Sequence, residues 1–97
     1  MKRILLIGLL SACTHTMNIE KSLRETKVNL ISANKVHARL CAPKPLADAQ
    51  SNLDFANLEF TQGHLRRAGE HLKEATRNAK IALADATPCG TADGDRD

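Results

Sequence analysis

CAPKPLADAQSNLDFANLEFTQGHLRRAGEHLKEATRNAKIALADATPC, residues 41–89, decides the fold. Pro43 and Pro45 cannot continue a helix, but a proline fits the first turn of one, where the backbone N–H has no intrahelical partner. Leu46, Ala49, Leu53, Ala56 and Phe60 recur in steps of three and four, which predicts a helix over 43–61. Phe55 and Leu58 make a second apolar stripe beside the first, so this helix is expected to have two neighbours and a central place. Thr61-Gln62-Gly63 reads as the turn, with Gly63 suited to a left-handed cap. Leu65, Ala68, Leu72, Ala75, Ala79, Ala82 and Ala86 then line one face of a helix over 64–86, which Pro88 is expected to end. Alanine dominates that seam, so the two helices are expected to approach closely.

Two helices joined by a short turn lie antiparallel, which sets the start of one beside the end of the other. Cys41 precedes the first and Cys89 follows the second, so both flank the open end of the hairpin, where a disulfide can close it. Two free thiols or one intermolecular bond are the alternatives. Upstream, Ile19, Leu23, Thr26, Leu30, Ala33, His37 and Leu40 alternate steps of four and three, a helix over 18–39. Val28 and Ile31 broaden its stripe. Glu20 and Glu25 lie early and Lys35 and Arg39 late, as the helix dipole favours. The expected fold is all-α, a three-helix arrangement with an antiparallel αα-hairpin closed by a disulfide.

That hairpin also fits part of a tetratricopeptide pattern. With Gly63 at mid-repeat, Phe55, Ala56, Ala68, Leu72 and Ala75 fall where the repeat wants large, small, small, large and small residues. Asn52 and Lys80 fail its flanking positions, and one repeat is too few for a solenoid. The pattern describes TPR-like hairpin geometry and gives no argument for peptide binding.

The chain has 97 residues, room for one small domain, and its aromatic content is 2%, Phe55 and Phe60 alone. Rings are too few for an aromatic β-sandwich or a base-stacking platform. Met1-Lys2-Arg3 is a basic head and Ile4 to Leu10 an apolar run, the pattern of a secretory leader and too short for a membrane span. Its end, Leu10-Ser11-Ala12-Cys13, resembles the bacterial lipobox, in which the cysteine is acylated and cleavage falls just before it. That assigns 1–12 to a lipoprotein signal peptide and 13–18 to a lipidated tether ahead of a helical module over 19–90. Loss of Lys2 and Arg3 from 14 basic residues leaves 12 against 11 acidic ones, a net charge of +1, so a nucleic-acid partner loses its electrostatic support. Several acyl chains anchor firmly where one binds only marginally. Thr14 after the cysteine, with no Asp there, implies outer-membrane sorting in enteric-type rules. An oxidising compartment favours pairing of the two remaining cysteines.

No residues form a recognisable catalytic set, and the chain is not read as an enzyme. His64 and His71 are seven apart, too far for two zinc ligands on one helix. His37 is expected at a core edge and His15 in the tether. Ser22, Ser32 and Ser51 lack a His-acid arrangement. Arg66-Arg67 reads as a solvated basic pair. Asp93, Asp95 and Asp97 have the spacing of half a calcium loop, a weak Ca²⁺ candidate beside the plainer reading of an acidic tail over 91–97. No other cofactor is implied.

Cys41-Ala42-Pro43, Asn52-Leu53-Asp54-Phe55-Ala56, Gly63, Arg67-Ala68, Glu70-His71-Leu72, Ala75 and Asn78-Ala79 together resemble the amino-terminal helical module of OmpA-family outer-membrane lipoproteins. The likeness covers about residues 20–90; Lys44-Pro45 departs from it. It implies a periplasm-facing lipoprotein with an envelope-organising or partner-docking role. The peptidoglycan-gripping domain of such relatives has no counterpart among these residues, so that activity does not carry over. Residues 91–97 resemble the start of the acidic linker that precedes it, which leaves a truncated module without independent function as an alternative. A periplasmic adaptor binding a peptide or metal is the other.

Overall fold

A computed structural model describes the backbone over residues 2–96 and the side chains over 18–89. The described residues form four helices and no strand: α1 (Lys2–Lys35), α2 (Ala38–Cys41), α3 (Pro43–Thr61) and α4 (Leu65–Arg96). α3 keeps the boundaries that its prolines and its turn predict. Gly63 adopts φ 82°, and its N–H donates to the Phe60 carbonyl while the His64 N–H donates to that of Glu59. These two bonds close the end of α3 in a Schellman motif. A Cβ at Gly63 would meet no neighbour, so the cost of adding one lies in the backbone. Gly63→Ala is expected to lower stability by about 1 kcal/mol, read as a shift in the urea midpoint at constant slope.

The hairpin closes along its alanines. Ala49, Ala56, Ala68, Ala75, Ala79, Ala82 and Ala86 are all 0% exposed. α1 lies across both helices. Its Ile19 packs with Ala56, Ala68 and Leu72 near the turn, while Leu30 and Ala33 pack with Leu46, Ala49, Ala79 and Ala82 towards the cysteines. α1 therefore runs parallel to α4 and antiparallel to α3. Leu53, half-buried, touches both clusters and joins them.

Among the described residues Thr26 is the largest side chain fully removed from water, and its hydroxyl meets that of Thr76 at 2.9 Å across α1 and α4. Thr26→Val strands the Thr76 hydroxyl at little change in shape, an expected loss of about 1 kcal/mol. Thr26→Val/Thr76→Val is expected to recover most of it in a double-mutant cycle of urea midpoints.

Four expectations change. The helix foreseen over 18–39 breaks at His37, whose φ of 64° puts a non-glycine residue in the left-handed region. That one residue re-aims the chain, so Ala38 and Ala42 turn into the core and Leu40 turns out to 77% exposure. His37 itself is exposed. Val28 and Ile31 lie outside the seam and are exposed. Phe55 and Leu58 are also exposed; α3 has the expected neighbours, α1 and α4, but they do not cover this second stripe.

The fourth change concerns Pro88, which sits inside α4 instead of ending it. A proline there lacks the N–H that would serve the Ala84 carbonyl. Ala84 and Pro88 are both exposed, so water can take that role. At the other end α1 begins at Lys2, so the leader from residue 2 and the tether expected over 13–18 share one helical backbone with residues 19–35.

Candidate functional site

The open end of the hairpin is held covalently. Cys41 ends α2 and Cys89 lies on α4, their Cα atoms are 6.0 Å apart and their sulfurs are bonded. The hairpin puts them side by side because α3 begins where α4 comes back. Ala38, Ala42 and Ala86 pack beneath them, and Cys41 is half-buried against that cluster. The arrangement is the intramolecular one of those the sequence left open.

At the opposite end, Nδ1 of His64 lies 2.8 Å from Oε2 of Glu59, across the turn that Gly63 makes. Arg67 approaches the other carboxylate oxygen at 3.9 Å. The polar pair occupies the place where a Schellman motif often carries an apolar contact. Further along, Nδ1 of His71 lies 3.2 Å from Oδ1 of Asn52, and its ring rests 5.3 Å from that of Phe55. His64, in the turn before α4, and His71, on α4, thus make two separate contacts with α3. Thr61, the hydroxyl nearest His64 in sequence, donates to the Leu58 carbonyl. None of these groups assembles a nucleophile with a base.

Among the described residues no group of three or more His, Cys, Asp or Glu side chains converges as metal ligands. Among the same residues no helix is long and apolar enough to cross a membrane. Cys13, His15, Asp93, Asp95 and Asp97 fall outside the described side chains.

Two grooves run beside α1. One, of about 420 Å³ between α1 and α3, mixes Glu20, Arg24, Lys27 and Asp54 on its walls, and Arg24 is already 3.8 Å from Glu20. The other, of about 500 Å³ between α1 and α4, has Ile19 and Leu72 in its lining and Lys73, Arg77 and Lys80 along α4. The basic ridge was not singled out by the sequence pattern. Lys73 and Lys80 are seven apart, a spacing that places them on one side of a helix, and that spacing was the available signal.

Comparison with family models, curated proteins and solved structures finds no match for this chain.

Proposed function

We propose that the chain is a lipid-anchored, periplasm-facing lipoprotein of the outer membrane. Its helical module would dock envelope partners instead of catalysing a reaction. What carries the proposal is the division of labour among the three cysteines. Cys13 stands at the end of a leader-like segment, and the other two are joined to each other. A structural disulfide belongs to an oxidising compartment, which is where a lipobox delivers its protein. The similarity of residues 20–90 to the amino-terminal module of OmpA-family lipoproteins supports the same role. Exposed Phe55 and Leu58 on α3, and Val28 and Ile31 on α1, supply apolar surface for a docking partner.

Intact mass of the membrane-extracted protein tests this. The expected species begins at Cys13, carries acyl additions, and has two thiols that alkylate only after reduction. Cys13→Ala is expected to move the protein out of the membrane fraction. An unmodified Cys13 with unchanged fractionation would remove the anchor.

A further inference from the structure

We propose that the groove between α1 and α4 seats the headgroup of an anionic phospholipid, so that this face of the module lies on the membrane that anchors it. The inference deepens the membrane-anchored role proposed above and rests on it.

The first observation is an uncompensated charge. Six of the eleven lysines and arginines among the described side chains have a carboxylate within 4 Å. Lys21 lies 3.9 Å from Glu25, Lys44 3.0 Å from Asp48, Arg66 3.4 Å from Glu70 and Arg77 2.5 Å from Glu74. Lys73 and Lys80, like Lys27, Lys35 and Arg39, have no such partner among the described residues, and these two are exposed together on the rim of one groove. The carboxylates nearest Lys73 along the helix, Glu70 and Glu74, are engaged by Arg66 and Arg77, and Asp85, the one nearest Lys80, lies five residues on and makes no ion pair with it. Seven residues of helix separate the two lysines by about 10 Å along the axis, so they mark out a strip and not a point.

The second observation is what lies between them. Ile19 and Leu72 close the floor of the groove, each only 5% exposed, and Gly69 leaves it without a side chain at its position. A Cβ at Gly69 would meet nothing within 4 Å, so close helix packing does not require glycine there. Asn18 and Ser22 line the groove from α1 with neutral hydrogen-bonding groups. A phosphate matches the ammonium groups, and a glycerol hydroxyl matches the amide and hydroxyl. Nucleic acid fits this chemistry less well, because no aromatic ring lines the groove for a base to stack on.

The third observation is the distribution of charge over the bundle. α3 carries Lys44 against Asp48, Asp54 and Glu59, so its side is acidic. An anionic surface attracts the α1–α4 side and repels α3. The groove also opens close to the anchor, since Asn18 follows Cys13 by five residues.

The test uses the full chain added to preformed vesicles, either of phosphatidylcholine alone or of equal parts phosphatidylcholine and phosphatidylglycerol. A membrane-impermeant amine reagent is applied, and labelling at each lysine is read by peptide mass spectrometry. Lys44, on α3, is the reference within each sample. Labelling of Lys73 and Lys80 relative to Lys44 is expected to fall about fivefold at each site on the anionic vesicles. Equal ratios on the two surfaces would overturn the proposal. So would equal protection by inorganic phosphate over neutral vesicles, which would mark a simple anion site. The vesicle supplies the membrane in this experiment. An unmodified Cys13 would therefore sink the lipoprotein role while leaving the lysine protection to be read by itself.

Discussion

Replacing Cys41 and Cys89 by serine is expected to lower the melting temperature by about 20 °C, from a loss of about 4 kcal/mol. The bond closes a loop with a sequence separation of 48, and a cross-link of that span removes much of the freedom of the unfolded chain. The effect should be large because the core is thin. Among the described residues its buried positions are mostly alanines, whose side chains remove little apolar surface from water, and only Ile19, Leu30, Leu46 and Leu72 add long aliphatic chains. Melts followed by circular dichroism, with and without reductant, check the expectation. Reductant should lower the native chain to the level of the double serine variant and leave that variant unmoved. A shift under about 5 °C would mean that the alanine seam holds the hairpin without covalent help.

Leu72→Ala should cost about 3 kcal/mol, whereas Phe55→Ala should change stability by less than about 0.5 kcal/mol. Leu72 is 5% exposed and packs with Ile19, Ala56 and Ala68, three residues from three different helices or turns of the bundle. Truncating it leaves a cavity that small, rigid alanines cannot collapse to fill. Phe55 is the larger side chain but is 52% exposed, so it has less burial to lose. Urea denaturation of the two variants under oxidising conditions separates these cases. Comparable losses would place Phe55 in a packed interface in solution and revise the assignment of its stripe as outward-facing.

That contrast shows where the sequence was legible and where it was not. Ile19, Leu23, Thr26, Leu30 and Ala33 form the inner face of α1, and the seams of α3 and α4 match their patterns position by position. A helix imposes its own period, so a stripe of apolar residues states which side faces in without reference to the partner. The side stripes are different. Phe55 and Leu58 are apolar, as Leu53 is, yet α1 and α4 lie so as to cover Leu53 and leave the other two open. Composition sets how apolar a face is, and the arrangement of the neighbours sets how much of it is covered.

The candidate site divides in the same way. Cys41 and Cys89 could be paired in advance because a turn at Gly63 makes their approach a matter of counting residues along two helices. Lys73 and Lys80 could not be read so directly. Each is one exposed lysine on a charged helix, and its significance comes from the groove that the two share, whose other wall α1 supplies with Asn18 and Ser22.

Local chemistry alone therefore determined the class of fold, the span of α3, the cap at Gly63, the alanine seam and the cysteine partners. Each follows from backbone preferences or from a period within one or two helices. Tertiary structure decided the rest. It bent the chain at His37 so that Ala38 and Ala42 enter the core, and carried α4 through Pro88. It also brought Thr26 to Thr76 and Ile19 beside the lysine ridge. These outcomes depend on several helices competing for the same buried volume. A left-handed histidine or a missing helix hydrogen bond costs about 1–3 kcal/mol at its own position, and only packing elsewhere in the bundle can offset that cost.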